Sequence, residues 1–101
     1  MKEEYYFFET VKSDRAVTIS LDILFVYNLK EQKFIKKRFE EIYKNFKSVF
    51  SFEIQTIFKK LIDLISINQE DKKMKYFYYI ITMVKKCKSI YYFRNNITIY
   101  Y

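Results

Sequence analysis

Asp22, the step Glu31-Gln32-Lys33 and the lone Cys87 are the side chains in this chain whose types come nearest to a catalytic set. Two carboxylates can hold a hard divalent cation, and a lysine beside them can orient an attacking water. A competing role is available for Glu31, because Asn28 stands three residues before it, ahead of an amphipathic run, in the relation of an N-cap to N3. The capping role explains more of the surrounding sequence. Cys87 is flanked by Lys85, Lys86 and Lys88, which would favour a thiolate at an exposed site. Helical spacing sets it instead beside Val84 and Tyr91 on an inner face, where a small core residue is expected. With no His in the chain, the commonest proton shuttle and metal ligand are missing, and with no Gly the phosphate-cradling loops cannot be built. The expectation is a protein that is not an enzyme, with no catalytic residue, no metal and no cofactor.

Asp22 with Glu31-x-Lys33 superficially resembles the pattern of divalent-metal nucleases, but that family carries its Glu-x-Lys on a strand and here the step opens a helix. Such a triplet is cheap in a chain this rich in lysine. Binding is left as the function class. Net charge is +7, and its distribution is uneven: residues 72–101 hold seven basic side chains and no acidic one. Aromatic residues accompany that charge, so the candidate binding residues are Lys85, Lys86, Lys88, Tyr91, Tyr92, Arg94, Tyr100 and Tyr101. Tyr and Arg are enriched at interface hot spots, and a terminal strand can accept an extended peptide along its edge. The first reading is therefore a protein-protein interaction module that binds a partner at a groove or at the C-terminal strand edge. The second is a sequence-tolerant nucleic-acid-binding protein in which lysines neutralise phosphates and aromatics stack on bases. A lipid-adhering surface fits the composition but lacks an amphipathic helix of the required kind.

The elements that must position these residues are read from periodicity. Tyr5–Val11 and the alternating Val17–Tyr27, around Ser13-Asp14-Arg15, predict a β-hairpin. Ile35, Phe39, Ile42, Tyr43, Phe46, Val49 and Phe50 recur at helical spacing, so 31–48 is predicted helical. A second helix is predicted over 52–66 with Ser51 as cap, and a third over 70–87 with Asn68 and Asp71 in a cap relation. The centre of the third, Tyr76–Val84, is apolar all round, so a buried strand competes there. Ile90–Tyr101 reads as a terminal strand interrupted by a bulge or turn at Arg94-Asn95-Asn96. The fold class is α+β: an N-terminal β-hairpin, about three amphipathic helices and a C-terminal strand.

A chain of 101 residues, half of them apolar and 31% charged, supports one domain covering 1–101. The excess of Lys, Ile, Phe and Tyr is what an AT-rich genome imposes, which discounts part of the basic and aromatic signal. Shifting the chain by about forty positions brings Leu21–Asn28 over Leu61–Asn68, which suggests two tandem motifs of about 19–58 and 59–101 with a groove between them. The longest apolar run is far short of the roughly 20 residues that span a bilayer. The first residues lack a secretory pattern, and a single Cys fits a reducing compartment, so no membrane span and a cytoplasmic location are expected.

The clusters Tyr5-Tyr6-Phe7-Phe8 and Tyr76-Phe77-Tyr78-Tyr79, the AT-driven usage and the tandem pattern resemble the small proteins encoded by filamentous viruses of hyperthermophilic archaea. The resemblance is one of style over the whole length and rests on no single motif. It implies a viral protein in the host-cell cytoplasm that binds a peptide in a groove between two similar motifs.

Overall fold

The computed structural model describes the backbone of residues 8–11 and the whole of residues 16–101. Two short strands come first, β1 (Phe8–Val11) and β2 (Ala16–Ser20), followed by a 3-10 helix (Leu21–Phe25). Three helices follow, α1 (Leu29–Phe46), α2 (Phe52–Ile65) and α3 (Glu70–Lys86), and then β3 (Ile90–Phe93) and β4 (Asn96–Tyr100). The strands form one antiparallel sheet in the order β1-β2-β4-β3. The fold is thus the expected mixture of a hairpin, three helices and C-terminal strand structure.

Each helix forms where apolar spacing and a start signal agree. Asn28 Oδ1 accepts from the Glu31 backbone N–H at 3.1 Å, and Ser51 Oγ accepts from that of Ile54 at 3.3 Å, so both expected caps are made. The apolar stripe of α2 turns seven side chains into the core, Ile54, Ile57, Phe58, Leu61, Ile62, Leu64 and Ile65. It lies between the other two helices. Residues 76–84 are helical, which resolves the ambiguity of that apolar run. The helix buries Ile80, Ile81 and Val84 and leaves Tyr78 and Tyr79 outside.

Three expectations need correcting. The second hairpin strand stops at Ser20 and does not run to Tyr27: Leu21 and Leu24, three apart, are both buried, a spacing that suits the three-residue turn of a 3-10 helix. The turn at Ser13-Asp14-Arg15 and the start of the first strand, 5–7, lie outside the described residues. Asn68 does not cap α3; Gln69 occupies that position without a side-chain cap bond. Asn68 Oδ1 instead accepts from Gln32 Nε2 at 2.7 Å, because Gln32 is buried and its amide needs an acceptor. The interruption at 94–95 is a turn, one of the two expected alternatives, but it makes the C-terminal segment a hairpin in place of one strand, and its last strand lies inside the sheet, paired on both sides, where an open edge was expected. Segments 21–28 and 61–68, matched by the forty-residue shift, each lead into a helix, the first as a 3-10 turn and the second as the end of α2.

Alternation along the strands separates two faces. Val17, Ile19, Ile90, Ile97 and Ile99 are buried and belong to the same core as Phe39, Phe58, Leu61, Ile80 and Val84. Rings extend this core toward one corner, with Phe39, Tyr43 and Phe50 each 5.5–6.0 Å from Phe58. Burying such surface at about 25 cal/mol per Å2 is the main term holding the helices on the sheet.

One charged side chain enters the interior. Lys73 is fully buried, and its Nζ donates to the carbonyls of Val26 and Ile65, each at 3.2 Å. The ammonium also lies 4.8 Å from the centre of the Tyr27 ring and 5.8 Å from that of Phe25. Among the described residues no carboxylate contributes to its electrostatics, and burial pushes its pKa below the ordinary 10.5. With Gln32, whose Nε2 also donates to the Val26 carbonyl at 2.9 Å, it ties the segment after the 3-10 helix to the end of α2.

A candidate binding site on the C-terminal hairpin

The turn between β3 and β4 is forced to use Arg94 where a glycine would ordinarily stand, with φ at 55°. Two bonds hold it: the Leu21 backbone N–H donates to the Asn95 carbonyl at 2.7 Å, and Asn95 Nδ2 donates to Asp22 Oδ1 at 2.5 Å. Asp22, singled out as a metal-ligand candidate, is therefore a turn anchor. Glu31 and Lys33 stand exposed at the start of α1. Among the described residues no three acids or cysteines converge on a metal-sized site. Cys87 is buried, as its spacing implied.

Beyond this turn the hairpin presents opposite residues to opposite sides. Tyr91, Phe93 and Tyr100 are about half-exposed on the face that no described helix covers. The Tyr91 and Phe93 rings stack with centres 6.1 Å apart and planes 20° apart, and the Arg94 guanidinium lies 5.1 Å from the Phe93 ring centre. Thr18 and Thr98 share a hydrogen bond of 3.0 Å in the middle of the same face. Tyr92 points the other way. It is half-buried on the core, with Lys85 Nζ 5.9 Å from its ring centre. Tyr101 turns back to the α1–α2 corner and meets the rings of Phe46 at 5.2 Å and Phe50 at 6.2 Å.

The eight candidate residues are thus divided. Tyr91, Arg94 and Tyr100 share the open face, with Lys88 exposed in the turn that precedes β3. Lys85, Tyr92 and Tyr101 serve other contacts. Lys86 lines a groove of about 310 Å3 between α2 and α3, together with Phe52, Glu53, Thr56, Ile57 and Met83. That groove takes residues from both halves of the chain. Phe93 belongs with Tyr91 and was absent from the candidates; the missed signal is its spacing of two, which puts it on the same side of a strand.

The sheet edge completes the site. β3 is the last strand in the order, so among the described residues one side of its backbone has no neighbouring strand. Tyr100 N–H donates to the Ser89 carbonyl at 2.8 Å, and the register pairs Tyr91 with Thr98 and Phe93 with Asn96. The alternating antiparallel pattern then directs the backbone groups of Ser89, Tyr91 and Phe93 toward β4, and those of Ile90 and Tyr92 outward. The Ile90 N–H bonds to the Cys87 carbonyl at 3.3 Å, so the outward set is the Tyr92 N–H with the Ile90 and Tyr92 carbonyls. Such an edge is a template for another strand, and here its guards are cations at the two ends, Lys88 and Arg94. Comparison with family models, with curated proteins and with solved structures finds no match to this chain.

Proposed function

We propose that this protein is a protein-interaction module that takes up an extended segment of a partner along the β3 edge. The observation that carries the reading is the stacked Tyr91–Phe93 pair, half-exposed on an edge strand whose outward backbone groups have no strand beside them among the described residues. Backbone bonding to Tyr92 supplies affinity without sequence preference. Tyr91 and Phe93 meet every second side chain of the added strand and supply selectivity. Lys88 and Arg94 favour acidic residues at the ends of that segment.

Charge placement separates this reading from nucleic-acid binding. A single-strand binder needs cations along the backbone path beside its stacking rings. Here Lys85 attends Tyr92 on the core side and Lys86 the groove between helices, so among the described residues the cations beside the exposed rings, Lys88 and Arg94, stand at the two ends of β3. The nucleic-acid reading keeps one observation in its favour, the seven basic and no acidic residues of 72–101.

The test is selection of a displayed library of extended peptides on the full chain, followed by titration of the selected sequences. Peptides with apolar residues at alternate positions are expected, with Tyr91→Ala and Phe93→Ala each weakening binding about tenfold and Tyr100→Ala less. An N-methyl group on the Tyr92 amide, introduced by chemical synthesis, should abolish it. Selected peptides indifferent to all of these changes would refute edge addition. In parallel, labelled single- and double-stranded DNA are titrated at two salt concentrations. Tight binding that collapses with salt would replace the protein partner by nucleic acid.

A further inference from the structure

Phe52 is the most exposed large apolar side chain among the described residues, 82% accessible. It occupies the first turn of α2, directly after the cap Ser51, where helix formation does not require an aromatic residue. Val49, three residues earlier, is 51% exposed in the turn leading to it. An isolated exposed Leu or Val is ordinary, but a Phe left in water beside an apolar depression indicates a partner surface. The depression is the groove between α2 and α3. Ile57 and Met83 give it an apolar floor, Phe52 stands at its margin, and Glu53 and Lys86 supply one negative and one positive charge.

These features are self-complementary. The groove holds about 310 Å3, about twice the volume of a cavity that takes a benzene ring, and a ring that could enter it stands on its own rim. Its charges are one acid from α2 and one base from α3, with no ionic partner for either among the described residues. A two-fold axis beside Phe52 would place each Phe52 in the groove of the other copy and each Glu53 against the other Lys86. Isologous contact requires this reciprocity, in which residue i meets j while j meets i. Met83 suits the contact, since an unbranched thioether adapts to an inserted ring.

We infer that a second copy of this chain occupies the α2–α3 groove, forming a two-fold dimer through reciprocal insertion of Phe52 and paired Glu53–Lys86 contacts. The surface is distinct from the β3 edge, so this inference does not depend on the proposed function.

Sedimentation equilibrium of the full chain tests it. The wild type is expected to dimerise at micromolar concentration, and Phe52→Asp and Phe52→Ser to be monomeric with unchanged circular dichroism. Glu53→Lys and Lys86→Glu each bring like charges together twice and should weaken the dimer about tenfold. The double variant carrying both changes restores opposite charges and should regain wild-type affinity. A mixture of the two single variants should form mixed dimers in preference to either homodimer, a readout that no change within one chain can imitate. A wild type monomeric up to about 100 μM would overturn the inference. So would a dimer that survives Phe52→Asp, or single charge variants that mix only statistically.

Discussion

Tyr43→Phe is expected to stabilise this protein, an outcome opposite to that of most substitutions in a core. The Tyr43 hydroxyl is buried and has no hydrogen-bond partner among the described residues. Its ring does bind, stacked 6.0 Å from Phe58 with the planes 27° apart, and the Nζ atoms of Lys47 and Lys59 lie 5.9 and 5.7 Å from its centre. Phenylalanine keeps all three ring contacts and removes only the oxygen. An unsatisfied buried polar group costs about 1–3 kcal/mol. Because the residue as a whole is only half-buried, the lower end applies, a gain of about 1 kcal/mol. For a domain of this size that raises Tm by about 4–8 °C. In urea the midpoint should move up with no change in slope, since the area exposed on unfolding is the same. Tyr43→Ala is the contrasting variant: it forfeits the ring contacts and should lose about 2–3 kcal/mol. A Tyr43→Phe protein that melts below the wild type would refute the reasoning, because it would mean that the hydroxyl is bonded in the folded state.

Lys73 sets a pH dependence. Burial lowers its pKa in the fold, so at a pH below that lowered value both folded and unfolded states hold the proton and the full cost of burying charge is present. As pH rises toward 10.5 the unfolded chain binds more protons than the folded one, and stability increases, by about 1.4 kcal/mol for each unit of depression. Tyr76 acts in the other direction above pH 10, its pKa being raised by burial, then by Asp63 and Tyr79. Urea midpoints between pH 7 and 10 should therefore climb in the wild type and stay flat in Lys73→Met; a Lys73→Met curve that still climbs would contradict this. Arg94→Gly should add about 1 kcal/mol to thermal stability, since φ of 55° costs a residue with a Cβ about that much. A lower melting temperature for that variant would mean that the guanidinium stacked on Phe93 outweighs the backbone.

Periodicity made the helices legible because an amphipathic stripe is a local property, and 52–66 was read to within a residue of α2. The strand ending was not legible: Leu21, Ile23 and Phe25 fit alternation as well as they fit a 3-10 turn, and only the burial of Leu21 with Leu24 decides between them. Nor could the cap relation of Asn68 and Asp71 reveal that Gln32, thirty-six positions away, claims the Asn68 side chain. Lys73 follows Lys72 with no local mark of burial, and its burial depends on two carbonyls, one at Ile65 at the end of the preceding helix and one at Val26, 47 positions away. Of the candidate site, the aromatic character of residues 91–101 was visible. Which rings face out was not, because assigning faces requires knowing that residues 94–95 form a turn and that the last strand is internal.

The pairing of β2 with β4 joins positions as far apart as Thr18 and Thr98, a separation of 80 residues. At a synthesis rate of about 5–20 residues per second, the nascent chain holds a completed β2 for roughly 4–16 s before its neighbour exists. The helices between can form within microseconds, so the growing chain is a helical cluster carrying a vacant sheet edge. Closing the sheet is then a late, long-range step that sets the folding rate. Until it happens, chains on one polysome are exposed to strand exchange with one another. Codons that slow translation between residues 20 and 96 would lengthen that interval, and their effect would be read as aggregate rather than as altered stability.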